Sequence, residues 1–229
     1  MKTSSNNSIV RSIHKKFLLE CRGADIEVIA DRLRSLRKSE QASLLEYCSR
    51  ILSDTRRSSN ETTRVAYVKT LVALLPSSLD LLEKCLKTRR GKQAYEVHFT
   101  IFCFLDELNV MRASGKTKRR ILDAVSEYLH SVRSESGNAA WMAGDLLGEH
   151  WKTYQTVEIL LNTVQEGRYV AGRLGALHGL DERLRQRALS SSLAKSIFDV
   201  LEKVSHYDKS LRVRFYASHI LRGRKLEEA

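Results

Sequence analysis

The sequence predicts an all-α protein, an α-solenoid of about six antiparallel helical hairpins. Three observations carry this. Apolar residues recur at three- and four-residue steps along nearly the whole chain. The 229 residues hold one Pro and 11 Gly, too few turn formers for an all-β chain. Three segments also share one pattern: RVAYVKTLVALL (64–75), RYVAGRLGALHG (168–179) and RVRFYASHILRG (212–223). Each opens on Arg, continues with a β-branched or aromatic residue, and sets small residues at helical spacing.

The elements follow in chain order. Residues 1–7 read as a disordered tip, and Ile9, Ile13, Phe17 and Cys21 mark a first helix that Gly23 stops. Asp25 can cap a second, with Ile26, Ile29, Leu33 and Leu36 on one face. A third covers 41–52. Asn60 can cap a fourth over 64–75, which must end before Pro76. Ser77 or Ser78 caps the next, 78–87. Helices over 93–108 and 118–132 follow, and then Asn138 caps NAAWMAGDLLGEHW. The last four cover 154–164, 168–180, 191–204 and 211–221. Short links between them force antiparallel neighbours. The chain is read as one domain, 1–229.

The small residues need a packing reason, since a helical Gly costs about 1 kcal/mol against Ala. Ala140, Ala143 and Gly144 form one small face, Ala171, Gly172 and Gly175 another, and Ala217 continues the pattern. In stacked hairpins such faces let backbones approach. Gly148 and Gly179 fall near helix ends and read as end residues.

Arg168-Tyr169-Val170-Ala171 and Arg212-Val213-Arg214, followed by small and apolar residues, resemble the second helix of HEAT-type repeats, where a Val-Arg pair opens that helix. The similarity is clearest over 137–223. The resemblance implies a HEAT-like right-handed superhelix, usually a protein-binding scaffold, with Arg168 and Arg212 as repeat-opening packing residues.

The net charge is +12 and the pI about 9.7, which suits a polyanionic partner, either nucleic acid or an acidic protein. Residues 121–180 run against this, with 4 basic and 7 acidic side chains. Two basic stretches are anion-binding candidates: Lys84, Lys87, Arg89, Arg90 and Lys92, then Lys116, Lys118, Arg119 and Arg120. The second group crowds a helix start, where positive charge is unfavourable unless an anion offsets it. The alternative is a solvated basic loop. Arg183, Arg185 and Arg187 form a third group. Arg222, Arg224 and Lys225 read as favourable residues at a helix end.

Catalytic signals are sparse. Gly115-Lys116-Thr117 fails as a phosphate loop, because position 110 is Val and no strand precedes it. The seven His and four Cys show no metal spacing, so no metal or cofactor is expected, nor a small-molecule substrate. The four Cys read as buried reduced thiols, consistent with a cytoplasmic protein. No apolar run reaches membrane-spanning length. Trp141 and Asp145 share a helix face. The HEAT-like alkylpurine DNA glycosylases resemble this chain in length and helical content. That resemblance would have Trp141 face a damaged base and Asp145 stabilise the sugar cation. The competing reading is a core Trp and a solvent-facing Asp. The function expected is a non-catalytic scaffold for an acidic protein. The alternative is a nucleic-acid binder, at its extreme such a glycosylase.

Overall fold

A computed structural model describes residues 25–53, 60–87, 92–107, 115–133, 137–186 and 189–227. The expected first helix and tip lie outside them. Every described element is helical: α1 Ile26–Arg34, α2 Lys38–Ser53, α3 Glu61–Ala73, α4 Leu79–Lys87, α5 Lys92–Glu107, α6 Gly115–Ser131, α7 Gly137–Asp145, α8 Tyr154–Glu166, α9 Val170–Arg185, α10 Ser191–Tyr207 and α11 Leu211–Glu227. A π-turn, Leu146–His150, extends α7. The chain divides into two compact units, Met1–Thr117 and Lys118–Ala229.

In the first unit α3 is the centre, packed by α1, α2, α4 and α5. Its sequence is apolar nearly all round, as a surrounded helix must be. Val68, Leu71 and Val72 are wholly buried. Asn60 caps it through the Thr63 N–H. Arg64 is also buried. Its Nε donates to Thr100 Oγ1 at 3.3 Å, and its Nη2 lies 3.5 Å from Glu96. Cys48 and Cys85 are buried here and stand outside any disulfide. Burial pushes the Cys85 thiol up to about 11, and Cys48 moves the same way.

In the second unit α9 packs against α7, α8 and α11, and α10 packs against α11 and α8. The α7–α9 seam is made backbone to backbone. A methyl added at Gly144 would run into the Gly175 carbonyl, and one at Gly175 would run into the Ala140 carbonyl. Gly172 meets the Leu129 carbonyl of α6 in the same way. Ala139, Ala140, Ala143, Ala171 and Ala217 are buried. Gly148 and Gly179 correct the sequence reading: they are seam residues, and a methyl at Gly148 would strike the Gly179 carbonyl. The π-turn carries Gly148 onto that seam and rotates Trp151 into the core, 1% exposed. Asn138 lies inside the first turn of α7 instead of capping it.

Arg168 and Arg212 also need correcting. Both are exposed, and Arg168 rests its guanidinium over the neighbouring Tyr169 ring. The packing role falls to Arg173 and Arg214. Arg173 Nη1 donates to the Gly167 carbonyl at 2.8 Å, and Arg214 Nη1 to the Asp208 carbonyl at 2.6 Å. These are one contact repeated 41 positions along the chain. Each arginine closes the end of the helix before it, where carbonyls lack partners. Arg173 also reaches the Asp208 carboxylate, with Nη2 at 3.1 Å and Nε at 2.9 Å. The two hairpins are thereby tied by a nearly buried ion pair.

Two sets of substitutions test this packing. Helix propensity alone makes Gly144→Ala stabilising by about 1 kcal/mol. The seam makes it destabilising by about 2 kcal/mol or more. Gly223, with open space around it, should gain about 0.5–1 kcal/mol as Ala. Arg173→Ala should lose about 3 kcal/mol and Arg168→Ala less than about 0.5 kcal/mol. Urea unfolding of each variant measures these differences.

Candidate functional site

Asp145, on the last turn of α7, follows the seam residue Gly144. His178, on α9, precedes Gly179. The backbone contact between those helices therefore sets the two side chains opposite each other. His178 Nε2 lies 2.6 Å from Asp145 Oδ1. Its Nδ1 lies 3.2 Å from the Tyr216 hydroxyl of α11. The arrangement is satisfied when Nε2–H donates to the carboxylate and Nδ1 accepts from the phenol. Trp141, one turn before Asp145, packs its ring against His178 with centres 4.2 Å apart and planes tilted by 40°, and against Tyr216 at 5.3 Å. Four side chains from three helices form one half-buried cluster. Burial, together with the charges of Asp181, Glu182 and Asp145, pushes the Tyr216 phenol up to about 12; Arg185 opposes this.

The core-Trp and solvent-facing-Asp reading fails on both residues. Trp151 is the core tryptophan, Trp141 is half-buried, and Asp145 is held by an imidazole. Neither His178 nor Tyr216 was flagged by the sequence reading, because each is a single residue on its own helix. Only the alignment of three helices brings them to Asp145.

Lys84 and Lys87 are exposed in the last turn of α4, where positive charge complements the dipole. Arg89, Arg90 and the Lys92 side chain lie outside the described residues. Lys116 and Arg119 are exposed and Lys118 and Arg120 half-buried in the first turns of α6, which hold no acidic residue in the opening turn. Arg185 is committed internally, at 2.7 Å from Asp181 and 2.8 Å from Glu182. Arg183 is buried and donates to Gln186. Trp141 and Asp145, the pair of the glycosylase alternative, are joined to His178 and Tyr216.

A second surface lies where α10 turns into α11. Tyr207, Leu211 and Phe215 are 80%, 72% and 65% exposed. Lys209, Arg212 and Arg222 are exposed beside them in sequence. Large apolar side chains grouped in this way mark interaction surfaces. Among the described residues no group of His, Cys, Asp and Glu could hold a metal ion, and no helix is long and apolar enough to cross a membrane.

The phenol supplies a test of the cluster. Unfolded, Tyr216 loses its proton near pH 10; folded, it keeps it to about pH 12. Above pH 10 the unfolded state therefore binds fewer protons, so stability present below pH 10 is lost as pH rises through about 12. Tyr216→Phe should flatten that alkaline loss, followed by Trp fluorescence during denaturation at stepped pH.

No protein-family model, curated protein or solved structure matches this chain.

Proposed function

We propose that the chain is a HEAT-like α-solenoid scaffold that binds an acidic macromolecular partner, a protein, without catalysing a reaction. The observation that carries the reading is the 41-residue recurrence of the Arg173 and Arg214 contacts. A spacing of this size belongs to two-helix repeat units, which stack by nearest-neighbour contacts and present long surfaces to large ligands. The positive charge of the chain selects an acidic partner, in a cytoplasmic setting consistent with reduced thiols. The Asp145–His178–Tyr216 hydrogen bonds fit a structural tie across three helices.

One observation favours the nucleic-acid alternative. Trp141 and Asp145 share a partly accessible side with Tyr216, an aromatic and carboxylate set of the sort a base-excising enzyme needs. The carboxylates Asp181 and Glu182 beside them are paired with Arg185.

Gel shift with duplex DNA and with RNA separates the two. The scaffold reading expects no shift at micromolar protein in about 50 mM salt. A nucleic-acid binder shifts duplex DNA or RNA, with a steep salt dependence that Arg119→Glu/Arg120→Glu weakens. Release of methylated base from alkylated DNA, lost in Asp145→Asn, would replace the scaffold reading with the glycosylase. Under the scaffold reading, proteins retained from native lysate are predominantly acidic and elute with salt.

A further inference from the structure

The 41-residue recurrence allows α9 and α11 to be compared position by position. On α9, the side turned to α11 carries Val170, Leu174, Leu177 and Asp181. The Arg173–Asp208 and His178–Tyr216 contacts bound that side on α9. Leu174, Leu177 and Asp181 are all buried, at 8%, 0% and 6%. One period on, α11 carries Leu211, Phe215, Ser218 and Arg222. Leu211 and Phe215 are 72% and 65% exposed, Ser218 is half-buried and Arg222 is exposed. The row that α9 covers with the next helix is therefore open on α11, although its two leading positions are larger and apolar.

The charge of the row also changes. Where α9 has Asp181, α11 has Arg222, and Arg212 and Lys209 add exposed positive charge. Two copies of this face would bring like charges together, so self-pairing is disfavoured. A helix with apolar residues at i, i+3 and i+4 and flanking carboxylates matches both the stripe and its charge.

We propose that the outer face of α11 docks an acidic amphipathic helix from a partner protein, seated on Leu211 and Phe215 and held by Arg212, Arg222 and Lys209. The proposal rests on the scaffold reading and gives that scaffold its point of attachment.

The test is selection of a random peptide library displayed on phage against the full chain. The chain is compared with Leu211→Ser/Phe215→Ser and with Arg212→Glu/Arg222→Glu. These side chains are exposed, so folding should persist, and circular dichroism and thermal melting check it. The expected result is enrichment of peptides with apolar residues at helical spacing and net negative charge. A synthetic copy of a selected peptide should become helical on binding and lose affinity about tenfold or more on the serine variant. The charge-reversed variant should enrich basic peptides instead. Acidic peptides that bind the serine variant equally well would remove α11 as the site and leave the scaffold reading standing. Enrichment of neutral or basic peptides by the unmodified chain, or of none, would overturn the proposal. So would a sedimenting dimer that the serine variant dissociates, which gives the face to a second copy. A nucleic-acid shift without peptide enrichment would sink the scaffold reading as well.

Discussion

The second unit depends on one contact, the close approach of the α7 and α9 backbones. Gly144, Gly148, Gly175 and Gly179 each forgo about 1 kcal/mol of helix propensity to allow it. What they gain is contact of one peptide backbone on another, with no side chain between. Packing of this kind fixes register tightly, because sliding by one residue would drive a carbonyl into a Cα. The register then sets the chemistry. Asp145 follows one seam glycine and His178 precedes another, so carboxylate and imidazole meet at 2.6 Å. The π-turn belongs to the same arrangement. Its wider turn holds Gly148 on the seam while Trp151 fills the core behind it.

The arginines carry that order onward. Arg173 leaves α9 near its start, closes the carbonyl end of α8 and pairs with Asp208 just before α11. A planar donor set can serve a carbonyl and a carboxylate at once, which an ammonium cannot do with the same geometry. Asp208 is fixed in turn by the Ser210 N–H at 2.7 Å, and its carbonyl accepts from Arg214. The start of α11 is thus specified by three hydrogen-bonded partners. Its position brings Tyr216 to His178. The aromatic cluster is a consequence of the seam and the ion pair together.

These causes were unequally legible in the sequence. Helix content follows from apolar periodicity, and the described elements are helical where that periodicity is strong. The small residues pointed to close seams at Gly144, Gly172 and Gly175. Gly148 and Gly179 sit near helix ends, where glycine usually serves the backbone alone. Nothing in residue identity distinguishes those uses; the facing carbonyl does. The arginines are ambiguous for a similar reason. A pattern match favours the arginine that opens the segment, whereas geometry favours the one whose side chain reaches back six residues to a free carbonyl. Trp141 and Asp145 were visible as an i, i+4 pair. His178 and Tyr216 belong to other helices and enter only through three-dimensional register.

Charge counted along the chain does not say which charges stay exposed. Residues 181–229, which hold α11, carry 11 basic and 7 acidic side chains. Several of those carboxylates are engaged internally: Asp181 and Glu182 by Arg185, and Asp208 by Arg173. A paired carboxylate projects little field beyond its partner, while an exposed arginine on α11 projects its full charge to within a Debye length. The surface that a partner meets is therefore set by which charges remain exposed, and among the described side chains of α11 those are Arg212 and Arg222. An apolar stripe between such residues is costly to leave in water and repelled by its own copy. Its chemistry is complementary to an acidic amphipathic helix.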